Sequence, residues 1–206
     1  MDATEECARP WREFAGYGEA VRRYGEPVER WYDYGVGPQA FEERQLALSK
    51  REAEVVLALR RPSGRYLLHT KWFYPQGTYR LLSGGIKRGE ALLTAVAREL
   101  REETSLSGRV ERFLAVQRHV FRLQDQVVPF TSFIVLVAGD EGVVSPLDAG
   151  EGITEFREVP LDELAVAACQ LEALPSDWVD WGRFRATAHR LVVELLMGQG
   201  GECQQG

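Results

Sequence analysis

Residues 81–106, LLSGGIKRGEALLTAVARELREETSL, constrain the fold of this chain more than any other stretch. An apolar run enters a glycine pair, and a glutamate-dense segment of helical periodicity leaves it. Glu99, Glu102 and Glu103 are spaced by three and four from the first. At ~100° per residue they share an arc of ~100°. Leu93, Val96 and Leu100 take the neighbouring arc, which is expected to be buried, while Arg98 and Arg101 fall on the outer side. Crowding carboxylates at the edge of a packed face is unfavourable unless something positive binds there. Hard oxygen donors of this kind suit Mg²⁺ or Mn²⁺. Gly84 and Gly85 allow the backbone to turn tightly and approach a ligand closely. The segment therefore reads as a metal cage, with a glycine loop as one wall and helix carboxylates as ligands. A glutamate-rich helix taken alone is also what a solvated surface helix looks like, with Arg98 and Glu102 as an i, i+4 pair.

The flanking sequence supports a strand–loop–helix–strand context. EVVLALRR and RYLLHT are apolar runs separated by Pro62, Ser63 and Gly64, a hairpin signal, and TYRLLS leads into the glycines. RVERFLAVQRHVFR and PFTSFIVLVAG read as two more strands, the second central because it is almost wholly apolar. GITEFREVP is a short strand and LDELAVAACQLEAL a helix. A long final helix follows, with Ser176 as N-cap and Gly198 as terminator. Its apolar stripe runs through Trp178, Trp181, Phe184, Ala188, Leu191, Val192 and Leu195. These elements predict an α/β domain over residues 51–197, with a mixed sheet between helices.

Residues 1–50 differ in composition and read as an N-terminal extension. Trp11, Phe14, Tyr17, Val21 and Tyr24 recur at near-helical spacing, which predicts an amphipathic helix packed on the main domain. The second reading is a homodimer arm or a surface for stacking a base. Residues 198–206 are expected to be a disordered tail. With 206 residues and 45% hydrophobic content a packed core is within reach. The charge balance, 25 − 31 = −6, argues against broad nucleic-acid binding but leaves room for a small phosphorylated ligand. Cys7, Cys169 and Cys203 form no CxxC and suggest neither a disulfide framework nor a zinc site. There is no signal-like h-region and no apolar run of about 18 residues, so the cytoplasm is the expected compartment and no membrane span is expected.

The segment around the glutamates resembles the signature of the Nudix hydrolases (MutT-like), G-x5-E-x7-R-E-U-x-E-E-x-G-U with U apolar. Here it reads Gly84, Glu90, Arg98, Glu99, Leu100, Glu102, Glu103, then Ser105 in place of glycine, then Leu106, a box spanning 84–106. Six identity-specific matches arise by chance on the order of once in ten million starts. The resemblance implies a Nudix-type α/β/α sandwich with a mixed sheet. It implies that Glu99, Glu102 and Glu103 bind Mg²⁺ or Mn²⁺, that Ser83 adds a backbone carbonyl, and that Glu90 and Arg98 brace the loop and orient the glutamates. It further implies hydrolysis of a nucleoside diphosphate linked to another group, by water attack on phosphorus aided by metal. Ser105, where a left-handed glycine ends the family's helix, is expected to cost about 1 kcal/mol if it keeps that conformation.

Many family members use a further acid from a later loop. SPLDAGEGITEF offers Asp148, Glu151 and Glu155, with Glu151 ranked first because it lies between glycines. The cues for diadenosine polyphosphate, ADP-ribose, coenzyme A and NADH subfamilies are not visible; Val120 stands where the ADP-ribose group carries proline. The substrate expected is a nucleotide sugar or ADP-ribose, with nucleoside triphosphates next. Lys71, Arg80, Lys87, Arg88, Arg118, His119 and Arg122 are candidate phosphate contacts, and Trp72, Phe73 and Tyr74 candidate base-stacking residues. The alternative is a non-catalytic Nudix-like module that binds a nucleotide and regulates a partner.

Overall fold

The computed structural model describes residues 10–147 and 149–198. The expected tail beyond Gly198, Cys7, Cys203 and Asp148 lie outside the described residues. The elements in chain order are α1 (Tyr17–Tyr24), β1 (Val28–Gly35), α2 (Pro38–Lys50), β2 (Ala53–Arg60), β3 (Tyr66–Lys71), β4 (Arg80–Ile86), α3 (Leu92–Thr104), β5 (Gly108–Leu123), β6 (Gln126–Gly139), β7 (Ile153–Val159), α4 (Glu163–Glu172) and α5 (Val179–Met197). Short 3₁₀ turns stand at Trp11–Glu13, Ala149–Glu151 and Ser176–Trp178.

The strands form one mixed seven-stranded sheet ordered β1-β5-β6-β2-β4-β3-β7, with β1/β5 and β2/β6 parallel and the other pairs antiparallel. Alternation along β2 divides the core. Val55, Leu57 and Leu59 face the side covered by α1 and α3, where they meet Phe14, Leu92, Val96 and Phe133. Val56 and Ala58 face α4 and α5, where they meet Leu164, Ala188, Leu191 and Val192. Helices on both faces make the expected α/β/α sandwich. The run PFTSFIVLVAG is central, as its uniform apolarity predicts, lying in β6 between β5 and β2.

Four readings are corrected by packing. First, the N-terminal extension does more than pack on the domain: it adds a strand to the sheet. The amphipathic helix exists and packs on the main core through Tyr17 and Ala20, with Trp11 and Phe14 just before it. VERWYDYG then forms β1, which pairs in register with β5 from Val28↔Ala115 to Gly35↔Arg122. Helical spacing of the earlier aromatics masked the β-forming run that follows. Second, β2 and β3 flank the expected turn but pair only at Arg60↔Tyr66, because β4 is inserted between them. Third, Ser176 does not cap α5. Its hydroxyl donates to Asp177, a 3₁₀ turn intervenes, and the helix starts at Val179. Fourth, Gly84 and Gly85 are not a turn; they lie within β4 and pair with Val55 and Glu54.

Candidate active site

The box helix α3 has no side-chain cap at its N-terminus. The carbonyl of Ala15, in the N-terminal segment, instead accepts from the Leu92 N–H at 2.8 Å, satisfying one of the donors that every helix start leaves open. At the other end Ser105 does adopt the left-handed conformation, φ 61°, and its N–H donates to Arg101 O. The Ser105 hydroxyl donates to Ser145 O at 2.6 Å, and the Ser145 and Leu147 N–H groups donate to the carbonyls of Thr104 and Glu102. The strand that leaves the site, β6, is thus followed by a loop fastened to the C-terminal end of α3.

Gly84 has a steric purpose. A Cβ on it would stand 1.8 Å from Cδ of Glu99, so only glycine lets this carboxylate lie directly on β4. Glu99 is 5% exposed and Glu103 0%, deeper than the edge position expected from the helical wheel. Glu102 remains partly exposed. Arg98 is not on the outer face. It turns inward and donates to Glu90 through Nε and Nη2 (2.7 and 2.8 Å), to Glu99 (2.6 Å), to Glu102 (2.9 Å) and to the Gly85 carbonyl (2.8 Å). Glu90 also accepts from the Lys87 N–H at 2.9 Å. Hydrogen bonds from Arg98 hold the Glu90 carboxyl below its usual range, despite some burial.

Glu103 is the least compensated of the box carboxylates. Both its carboxylate oxygens are buried without a hydrogen-bond partner among the described residues. Lys71 Nζ lies 3.9 Å away and bonds Glu151 at 2.7 Å. Burial pushes the Glu103 carboxyl up to about 8, with Glu99 and Glu151 reinforcing and Arg80 and Lys71 opposing. Burial likewise raises Glu99, against the pull of Arg98 and with Glu102 and Glu151 adding to the rise. Glu99, Glu103 and Glu151 therefore sense one another's charge. No set of three or more such donors is gathered around one point among the described residues; Arg98 bonds Glu99 and Glu102, and Lys71 bonds Glu151.

Ser83 sits on β4 opposite Val56. Its hydroxyl faces the other side of the sheet from Glu99 and accepts from Arg80 (2.8 Å) and Arg185 (3.2 Å). Arg185 also bonds both oxygens of Glu54 at 3.0 Å, and the Ser132 hydroxyl donates to Glu54 at 2.8 Å. Burial would raise Glu54, but Arg185 and Arg51 draw it down to about 2. Beside this cluster His189 accepts from the Leu81 N–H at 3.0 Å, and its Nδ1 pairs with the Arg185 carbonyl. The start of the box strand is thus pinned from α5.

A family model of the NUDIX domain matches residues 49–181, more than half of the chain. The chain belongs to the Nudix family. It is accordingly a pyrophosphohydrolase acting on acid anhydrides, and Nudix hydrolases typically need a divalent metal such as Mg²⁺. Among solved structures it is similar to an Ap4A hydrolase from C. elegans in a binary complex (16% identity, TM-score 0.47, covering 71% of this chain and 98% of that one). It is also similar to the dihydroneopterin triphosphate pyrophosphohydrolase of E. coli (14%, 0.48, 72% and 97%). A third similar structure is a MutT protein from Methanosarcina mazei Go1 (23%, 0.41, 69% and 93%). No curated protein matches the chain. No helix among the described residues is long and apolar enough to cross a membrane.

The Nudix box residues Glu99, Glu103, Arg98 and Glu90 come together, with Glu102 at their rim. Of the loop acids, Glu151 reaches the group through Lys71, whereas Glu155 pairs along β7 with Thr70 of β3. Several candidate phosphate contacts are engaged elsewhere. His119 is buried among Tyr32, Tyr34 and Phe121, Arg118 lies over Trp31, and Arg122 pairs with Asp33. Lys87 and Arg88 are exposed in the turn before α3. The Glu54–Arg185–Ser83 group was not anticipated from sequence. Its one visible signal is Glu54 itself, a carboxylate opening the otherwise apolar run EVVLAL, which a buried strand tolerates only with a partner.

Proposed function

We propose that this chain hydrolyses the diphosphate of a nucleoside diphosphate linked to another moiety, a nucleotide sugar or ADP-ribose ahead of a nucleoside triphosphate, with Mg²⁺ or Mn²⁺ and in the cytoplasm. The observation that carries this reading is Glu103: a fully buried carboxylate with both oxygens unpartnered, beside Glu99 and within reach of Lys71 and Glu151. A buried charge in that state is costly, and a divalent cation relieves the cost directly. The unpartnered oxygens of Glu103 suit such a cation; Glu99, Glu102 and Glu103 would hold it, with the Ser83 carbonyl in support, once Arg98 yields its bonds to Glu99 and Glu102. When bound, it would supply charge neutralisation for the diphosphate and a lowered pKa for the attacking water.

The chain's own residues have separate tasks. Arg98 and Glu90 fix the turn between β4 and α3, so that Glu99 stays seated on Gly84. Glu151, held by Lys71, would accept a proton from the attacking water, and Lys71 would then offer its charge to a phosphate oxygen. Exposed Lys87 and Arg88 are available to the rest of the anionic substrate.

The test is a turnover assay over nucleoside diphosphate derivatives with Mg²⁺ and with Mn²⁺. Hydrolysis of members carrying a second group on the diphosphate, and none without metal, is expected. Tight binding across the panel without any turnover would overturn the reading.

A further inference from the structure

Lys71 stands at the end of β3, where the ladder to β7 skips a residue: Thr70 pairs with Glu155 and Lys71 with Ile153. Irregularities of this kind re-aim a side chain beside a site. The Lys71 side chain is only 10% exposed, which is rare for lysine unless its charge is paired. Its ammonium donates to Glu151 at 2.7 Å and lies 3.9 Å from Glu103, too far for a hydrogen bond. One cation is thus shared between two acids. It bonds the partly exposed Glu151 and leaves the oxygens of the buried Glu103 unpartnered.

The other cations of this region are anchored elsewhere. Arg98 holds Glu90 and the Gly85 carbonyl through Nε and Nη2, so only its Nη1 engages Glu99 and Glu102. Arg80 is tied to the Tyr74 hydroxyl, the Leu81 carbonyl and the Ser83 hydroxyl. Among the described residues the Lys71 ammonium bonds Glu151 alone. The turn carrying Glu151 has further ties to β3. The Trp72 N–H donates to the Gly152 carbonyl at 3.0 Å, and the Trp72 ring lies against Gly152, where a Cβ would stand 2.8 Å from it. The ammonium can therefore swing away on its flexible stem without releasing Glu151.

We propose that Lys71 is an internal counter-ion of the carboxylate group, one that competes with a divalent cation for Glu103 and Glu151 and is displaced when the cation binds. The inference rests on the metal-dependent reading above and adds an order of events to it: the lysine charge becomes free for an anionic substrate only once the cation is in place. Positive charges held close together away from bulk water repel strongly, so ammonium and cation are not both stable between these acids. The consequence has a definite sign. Removing the Lys71 charge tightens metal binding, whereas a lysine that only held the fold together would leave it unchanged or weaken it.

Mn²⁺ titrated into the full chain, with free Mn²⁺ read by electron paramagnetic resonance, tests this without any substrate. Lys71→Met should bind Mn²⁺ about tenfold tighter than the parent, and Lys71→Arg should match the parent or bind more weakly. Without metal Lys71→Met should melt below the parent, and saturating Mn²⁺ should raise its midpoint by more than the parent's. A second measurement needs no variant. Acetylation of the parent chain by acetic anhydride, mapped by mass spectrometry, should reach Lys71 faster with Mg²⁺ than without, while the exposed Lys50 reacts alike in both. Parent-like or weaker Mn²⁺ binding by a folded Lys71→Met, no Mn²⁺ uptake by the parent, or Lys71 labelling that ignores Mg²⁺ would overturn the inference. If Lys71→Met binds Mn²⁺ no tighter while the parent cleaves anhydrides, the counter-ion fails and the hydrolase reading stands. If the Mn²⁺ pattern appears as expected but no anhydride is cleaved, the counter-ion stands and the hydrolase reading fails.

Discussion

At the scale of single residues, Glu103 and Arg101 make the sharpest contrast. Both lie on α3, two positions apart, but Glu103 is sealed beneath Lys71 while Arg101 is exposed. Glu103→Gln keeps the volume and removes the charge, so it should cost about 10²-fold or more in kcat, at least ~2.7 kcal/mol of transition-state stabilisation. Without metal its thermal midpoint should hold or rise, because an unpartnered buried carboxylate is replaced by a neutral amide. Glu102→Gln should also lower kcat, with less effect on stability since Glu102 is partly exposed. Arg101→Gln serves as the control and should change kcat by less than about threefold. Steady-state kinetics at saturating Mg²⁺ with a melting curve for each variant decides the matter. Parent-like turnover by Glu103→Gln would remove this residue from the site.

Among the elements, the box helix depends on segments outside the box at both ends. Its start is held by the Ala15 carbonyl and its end by the loop at Ser145 and Leu147. The N-terminal segment earns its place through packing as well: Phe14 meets Phe133 at 5.2 Å, and Tyr17 meets Phe113 at 5.7 Å. Phe14→Ala should therefore destabilise the whole domain by about 3–5 kcal/mol, as for other buried phenylalanines. Urea unfolding followed by circular dichroism measures this. A loss below about 1 kcal/mol would mean that the N-terminal segment is dispensable to the core. This element was half legible in the sequence. The stripe from Trp11 to Tyr24 marked a helix with a buried face, but nothing in its spacing said that the face would rest on β5 and α3, or that VERWYDYG would continue the sheet.

For the whole molecule, the three histidines His69, His119 and His189 are all buried. Burial lowers each: His69 well below the usual range, His119 to about 3 and His189 to about 4, with neighbouring arginines adding to the shift. The unfolded chain takes up these protons near pH 6.5, whereas the folded chain refuses them until about pH 4 or lower. Between those limits the unfolded state binds more protons, so stability falls as pH falls, by up to about 1.4 kcal/mol per pH unit for each imidazole. Glu103 and Glu99, both raised by burial, contribute in the opposite sense above pH 4.5, but they are two groups against three imidazoles. The net expectation is a steep loss of stability from about pH 6.5 down to about 4. Urea midpoints at half-unit pH intervals would show it, and a flat profile over that window would contradict the buried, neutral state of these rings.

The sequence alone determined which residues share a face of one element. Apolar runs set β2 to β7, and the i, i+3, i+4 spacing of Glu99, Glu102 and Glu103 set the carboxylate ridge, because such periodicities follow from backbone geometry within a single segment. It also determined the family, through residues confined to one 23-residue box at 84–106. Only the tertiary structure decided what each face meets. It turned Arg98 inward onto Glu90, seated Glu99 on Gly84, brought Glu151 to Lys71 across 80 positions and Arg185 to Glu54 across 131. Those contacts depend on the order in which strands assemble and on how much volume each side chain leaves, quantities that the local pattern of a chain does not contain.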